Sequence, residues 1–219
     1  MKRALFTILL VLVADQVLKV WVKLNMLYDT AIPLFGDWAF IHFIENRGMA
    51  FGMEFGGELG KLALTLFRIA AVVGIGLYLR HIIRERQSSG LIISVALVFA
   101  GALGNIIDST FYGLLFSEST YTQRAVLLPP DGGYAALFHG AVVDMFYFPL
   151  IDGRFPEWLP IWGGEHFRFF RPVFNIADAS ISVGIVLYIL LQRGQERRAG
   201  EEVKEEASSE APTVVQEEI

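Results

Sequence analysis

Four apolar stretches, each about 20 residues long, leave this chain few folds to adopt. The hydrocarbon core of a bilayer is about 30 Å thick, which a helix crosses in about 20 residues. Residues 5–24, 62–79, 91–108 and 174–191 meet that length. Backbone groups in lipid must be satisfied within their own segment, so each stretch is expected to be a helix. Composition agrees: the chain is 54% apolar and 19% charged, against about 45–50% and about 25% for soluble domains. The expected fold class is an all-α membrane protein: four transmembrane helices, a small extracytoplasmic β element and an extracytoplasmic flap.

Lys2-Arg3 followed by an apolar run to Ala14 has the outline of a cleavable signal peptide. The apolar character resumes after Asp15-Gln16, however, and three further spans follow, which favours a retained first helix. Orientation follows from the bias of Lys and Arg towards cytoplasmic flanks. Lys2 and Arg3, then Arg80, Arg84 and Arg86, then Arg193, Arg197 and Arg198 fall on one side of a four-span chain. Both termini are therefore expected in the cytoplasm, with residues 25–61 and 109–173 outside. Residues 37–53 are rich in aromatic and β-branched types and carry a turn signal at Asn46-Arg47-Gly48, which suits a hairpin or curved sheet. Residues 113–173, with their aromatics, prolines and glycine pairs, read as an irregular flap lying on the membrane. Residues 1–193 form the transmembrane domain, and the Glu-rich 194–219 is expected to be a disordered acidic cytoplasmic tail.

That tail accounts for the whole net charge of −5. The remainder is neutral and offers no basic footprint for nucleic acid. Without cysteine there is no thiol nucleophile, disulfide or thiolate metal site. The histidines (His42, His81, His139 and His166) show no ligand-like spacing, so no metal is assigned.

Ionisable groups inside spans cost about 2.5–3.5 kcal/mol at the centre on insertion scales, so each asks for a partner or a function. Asp15 and Lys19 share a helix face and suit a structural pair; the alternative is Lys19 as the base for a serine nucleophile. Gly101, Asn105 and Asp108 share a face of the third span, and Gly101 and Gly104 permit close helix approach. Asn175 and Asp178 share a face where the fourth span begins. The two spans run in opposite directions, so both Asn/Asp pairs lie at one depth, near the outer boundary. Asp144 stands between apolar neighbours in Val142-Val143-Asp144-Met145-Phe146, as though its segment dips to the membrane surface to meet Asp178. Arg68, in the second span, is expected to snorkel or pair and receives no role.

With these residues in view, the sequence closely resembles the lipoprotein signal peptidases (signal peptidase II), bacterial membrane aspartyl peptidases. Five stretches carry the resemblance: Asp15-Gln16-x-x-Lys19, Asn46-Arg47-Gly48-Met49-Ala50-Phe51-Gly52, Gly104-Asn105-x-x-Asp108, Val142-Val143-Asp144-Met145-Phe146 and Phe174-Asn175-x-Ala177-Asp178. They stand in the family's order relative to four spans, over residues 1–193. The resemblance implies a catalytic pair, Asp144 and Asp178. It implies supporting or substrate-binding roles for Asp15, Lys19, Asn46, Gly48, Ala50, Phe51, Gly101, Asn105, Asp108, Asn175 and Ala177. Two departures stand out. Ser109 occupies a position where the family usually has Arg, so Arg124, Arg154 or Arg171 is expected to supply that function. The stretches around Asp144 are also longer than is typical.

The implied activity is removal of the signal peptide from a diacylglyceryl-cysteine prolipoprotein at the outer face of the bacterial cytoplasmic (inner) membrane. The aspartates would share one proton around a water while Asn105, Asp108 and Asn175 orient them. No cofactor is implied. The implied partners are the lipidated precursor and membrane lipid, with the enzyme a monomer. The rival readings are a small ion- or proton-coupled carrier using the intramembrane carboxylates, and a non-catalytic membrane scaffold.

Overall fold

The structure, a computed structural model, describes residues 1–48, 57–149, 151–169 and 172–209. The chain begins with helix α1 (Lys2–Asn25), a hairpin of β1 (Ala31–Phe35) and β2 (Ala39–Asn46), and helix α2 (Gly57–Arg84). Helix α3 (Ser89–Ile107) continues through a π-helical turn, Asp108–Tyr112, into the short α4 (Gly113–Leu115). Strands β3 (Val142–Tyr147), β4 (Ile151–Arg154), β5 (His166–Phe169) and β6 (Val173–Phe174) precede the last helix, α5 (Ile176–Ser209).

Four of these helical segments are long and apolar enough to cross a membrane: Lys2–Asn25, Leu59–Arg84, Ser89–Leu115 and Ile176–Gly194. The third runs past Asp108 because the π turn and α4 extend it. The fourth starts later than 174 because Phe174 belongs to β6. Ser88 starts α3, its hydroxyl accepting from Leu91 N at 3.3 Å and satisfying one of the open donors of the first turn.

The polarity of the bundle is inverted relative to a water-soluble one. On α1 the buried residues are Ala4, Asp15, Lys19, Val22 and Lys23, while Leu5, Phe6, Leu9, Leu10, Val13 and Val17 are exposed. The outward faces of α2 and α5 likewise expose Leu66, Phe67, Val73, Val183, Val186 and Leu190. A contiguous apolar exterior of this extent needs lipid around it, and buried ionisable groups need one another. The fold is that of a multi-pass membrane protein.

At one end of the bundle lies an antiparallel sheet in the order β1-β2-β3-β6. A separate hairpin pairs β4 with β5. The β element thus differs from the expectation in two respects. Its first hairpin turns at Gly36, which takes φ +49, and spans 31–46; Asn46 is the last residue of the second strand, with Arg47 and Gly48 following it. Asp144 also lies inside a strand, opposite Ile44, so it is held by a backbone ladder rather than by a dipping loop. The run Val142-Val143-Asp144-Met145-Phe146 suits a strand buried on both faces, where β-branched and aromatic side chains pack well.

Beneath the sheet, Val22, Met26, Phe43, Tyr112, Phe116, Ala125, Val143 and Met145 form one buried apolar cluster. It ties the ends of α1 and α3 to β2 and β3. A second cluster, including Ala4, Leu79, Ile82, Leu91, Val95 and Ala96, closes the opposite end of the bundle. Helix α5 continues to Ser209, beyond residue 193, where a disordered tail was expected. Residues 194–209 are rich in Glu, Arg, Gln, Lys and Ala, all good helix formers, so low apolarity did not imply loss of helix. Residues 210–219 lie outside the described residues.

Candidate active site

The site grows from α1. Asp15 and Lys19, one turn apart and fully buried, pair at 2.9 Å. Lys19 also binds Asp108 at 2.8 Å and donates to Asn105 Oδ1 at 2.9 Å. An ammonium has three hydrogens, and three acceptors surround this one. Lys19 is therefore held as a structural cation, with no lone pair to serve a nucleophile.

Each carboxylate around Lys19 fixes a further element. Asp15 Oδ1 accepts from Ala177 N at 2.9 Å, capping the start of α5 where the helix dipole favours an anion. Asp108 accepts from Gln16 at 2.9 Å and, through Oδ2, from Val143 N at 3.2 Å, which places the backbone next to Asp144. Gln16 also accepts from the Tyr112 hydroxyl at 3.2 Å. The π turn starting at Asp108 re-aims this stretch of α3, a feature often found at functional sites.

Asn105 and Asn175 connect this base to the two remaining acids. Asn105 Nδ2 donates to Asp178 Oδ1 at 2.7 Å. Asn175 Nδ2 donates to Asp144 Oδ1 at 2.7 Å and contacts Asn105 Oδ1 at 3.1 Å and Val143 O at 3.2 Å. Asn175 Oδ1 accepts from Asp178 N at 2.8 Å. Asp144 and Asp178 therefore share one asparagine and lie within electrostatic reach of each other. Burial, then the charge of Asp178, pushes the Asp144 carboxyl up to about 7; Lys19 and side-chain hydrogen bonds from Asn175 and Asn46 pull the other way.

The glycines act by absence. A Cβ on Gly101 would run into the Ala177 carbonyl oxygen and the Ser180 hydroxyl, and one on Gly104 would sit 2.9 Å from Asp15 Oδ2 and 3.3 Å from Ala177 Cβ. Only bare backbone lets α3 and α5 close on each other. Ala177, fully buried, is the matching small residue on α5. Beyond β2, Asn46 Oδ1 accepts from Gly48 N at 2.9 Å, and Gly48 takes φ +92. This is a tight turn that favours glycine.

Of the residues singled out in the sequence, Asp15, Lys19, Asn46, Gly101, Asn105, Asp108, Asp144, Asn175, Ala177 and Asp178 thus belong to one connected region. Ala50 and Phe51 lie outside the described residues. The side-chain contacts of Asp108 go to Gln16, Lys19 and Val143 N, the last of these adjoining Asp144. The expected stand-ins for the missing arginine fare differently. Arg124 and Arg154 are exposed and Arg171 lies outside the described residues. Among the described residues, Arg68 of α2 is an arginine whose charge interacts with Asp178 and Asp144.

Sequence reasoning also passed over a second buried ion pair. Lys23, fully buried, bonds Glu45 and donates to Ser119 at 3.0 Å, with the Tyr134 ring 4.8 Å from its nitrogen. The i+4 spacing from Lys19 was the available signal. Among the described residues no three His, Asp or Glu side chains cluster as a metal ion would need.

A four-span bundle with a linked carboxylate–asparagine centre under a small sheet defines a membrane-embedded enzyme. Comparison with known proteins narrows this class. The sequence model for signal peptidase (SPase) II matches residues 7–192. A lipoprotein signal peptidase of Porphyromonas gingivalis is 52% identical over 185 residues, 84% of this chain and 79% of that one. One of Amoebophilus asiaticus is 39% identical over 188 residues, 84% and 75% of the two chains. The chain belongs to the signal peptidase II family, and is a multi-pass bacterial membrane peptidase. The fold has a solved counterpart, described as a bacterial membrane enzyme determined in meso, with TM-score 0.59, 22% identity and coverage of 88% of this chain and 93% of that one.

Proposed function

We propose that this enzyme cleaves the signal peptide from diacylglyceryl-cysteine prolipoproteins by activating a water between Asp144 and Asp178. The observation that carries the reading is the shared asparagine: Asn175 donates to Asp144 and accepts from the backbone of Asp178. Two carboxyls so joined cannot both ionise comfortably, so the pair holds one proton and titrates as a unit. Asp144, buried to 5% exposure and raised to about 7, keeps that proton. Asp178, half-buried and receiving a hydrogen bond from Asn105, is the ionised partner.

Asp178 takes a proton from the water as its oxygen attacks the scissile carbonyl. Asp144 donates a hydrogen bond to the developing oxyanion. Collapse of the tetrahedral intermediate breaks the C–N bond, and the proton held by Asp178 passes to the leaving amine. The turn from Asn46 to Gly48 at the end of β2 is where an extended substrate is held. The lipid chains of the cysteine lie against the apolar exterior of the helices. The Lys/Arg bias of the flanks supports cytoplasmic termini, and hence a site near the extracytoplasmic face of the membrane. The connected region and the family membership both favour a peptidase over a carrier.

The test is turnover of a lipidated precursor by Asp144→Asn and Asp178→Asn variants, with membrane insertion and thermal unfolding followed in parallel. Each variant is expected to insert and to lose cleavage. Near-normal turnover by either variant removes that residue from the mechanism.

A further inference from the structure

An arginine in an apolar helix demands an explanation, and Arg68 of α2 is half-buried among Leu, Phe and Ile neighbours. The face of α2 that carries it is fixed at two other points. Lys61 bonds the carbonyl of His139, and Thr65 donates to the carbonyl of Phe138 at 3.1 Å. Both contacts fall on the segment that leads into β3. Positions 61, 65 and 68 share one face of a helix, so Arg68 points the same way, about one turn deeper.

Its level is set by a contact at the other end. Tyr78 of α2 and Tyr188 of α5 join hydroxyl to hydroxyl at 3.2 Å. The two helices run in the same direction, both leaving the sheet end of the bundle. Arg68 stands ten residues before Tyr78, and Asp178 ten residues before Tyr188. At 1.5 Å per residue each lies about 15 Å up its own helix from the tyrosine pair. Arg68 is therefore level with Asp178 across the space between α2 and α5. Its charge interacts with Asp178 and, second, with Asp144, while among the described residues no ion pair joins it to either.

The geometry points to Arg68 as the positioning cation of the acid pair: facing both carboxyls from α2 without contact, it favours the singly ionised state that the reaction uses. This inference rests on Asp144 and Asp178 being the reacting pair. Among the described residues, a second cation acting on Asp144 is Lys19 of α1, already shared among Asp15, Asp108 and Asn105. Asn46, Asn105 and Asn175 face the pair from β2, α3 and the start of α5 but carry no charge. Lys23 is bound to Glu45, and Arg47 to Glu118 at 3.4 Å. Removing the charge of Arg68 therefore takes from the pair a cation whose charge acts on both carboxyls and which, among the described residues, forms no ion pair with another acid.

The experiment is the pH dependence of kcat/KM for the full chain in lipid, acting on a diacylglyceryl-cysteine precursor peptide, for wild type, Arg68→Gln, Arg68→Lys and Asp178→Asn. Loss of a nearby opposite charge makes both carboxyls harder to ionise. Arg68→Gln is thus expected to move both limbs of the bell upward by about one pH unit, whereas Arg68→Lys keeps them in place. Arg68→Gln with limbs where wild type has them overturns the inference, whatever the loss of rate, because a purely structural or substrate-binding arginine would not set those limbs. Should Arg68→Gln fail to insert or lose its thermal transition, Arg68→Lys decides: coincident limbs support the inference and displaced limbs overturn it. Full turnover by Asp178→Asn would instead remove the acid pair itself, a failure distinct from that of Arg68.

Discussion

Asn175 donates from Nδ2 to Asp144 Oδ1 at 2.7 Å, joining the first residue before α5 to the middle of β3. The same side chain accepts from Asp178 N, so one amide sets the spacing of both carboxyls. An aspartate in its place would keep the acceptor and lose the donor, adding a second negative charge beside the singly ionised pair. Asn175→Ala loses both bonds. Leaving a buried hydrogen-bonding group without its partner costs about 1–3 kcal/mol, so kcat is expected to fall by roughly 5- to 150-fold with a smaller change in KM. Steady-state kinetics on a lipidated peptide check this; a loss confined to KM would make Asn175 a substrate contact only.

Lys19 lies between Asp15 and Asp108 at 2.9 and 2.8 Å, all three fully buried. Replacing it by Met leaves two carboxylates uncompensated, and breaking a buried pair in this way costs about 3–5 kcal/mol. Lys19→Met is expected to lower the thermal transition markedly, while Asp15→Asn, which retains an acceptor for Ala177 N, is expected to be milder. Equal transitions for Lys19→Met and wild type would show that the cluster does not hold α1 to α3 and α5.

How much of this could be read beforehand depends on the range of the interaction concerned. The spans follow from apolar run length, a property of neighbouring residues, and their bounds differ from the structure only at the ends. Asn105, Asp108, Asn175 and Asp178 were legible as helix faces because period and chain direction suffice to place them. Asp144 was singled out by its apolar flanks, but its strand was not, since pairing with Ile44 and Phe146 with Phe174 depends on distant segments. Arg68 was legible only as an anomaly. Its neighbours say nothing of Asp178, and it took the register between α2 and α5, set by Tyr78 and Tyr188, to bring the two level. Glu45 was hidden similarly, as an ordinary strand residue until Lys23 reached it.

Gly101 offers a test of geometry without charge. A methyl group there meets the Ala177 carbonyl and the Ser180 hydroxyl, both on α5, and overpacking of this kind costs about 1–3 kcal/mol. Relief requires α5 to move away from α3, carrying Asp178 from Asn105. Gly101→Ala is expected to lose at least tenfold in kcat, with a modest fall in thermal stability. Full activity would mean that the helices separate elsewhere without disturbing the pair.

The state of Asp144 can be read twice, in rate and in stability. Its carboxyl sits at about 7, first through burial and next through Asp178, well above the unfolded value of about 3.9. The protonated form is the one the mechanism uses, so kcat/KM is expected to fall above about pH 7 as that proton leaves. For stability the sign follows from proton binding: between about pH 4 and pH 7 the folded state holds a proton that the unfolded state has released. Stability contributed by this group is therefore fully present below the unfolded value and is lost as pH rises through 7. Asp144→Asn, which cannot titrate, is expected to flatten that decline. Thermal unfolding followed from pH 4 to 8 for wild type and variant measures it. An identical slope in both would place the titrating group elsewhere, and with it the proton that the reaction needs.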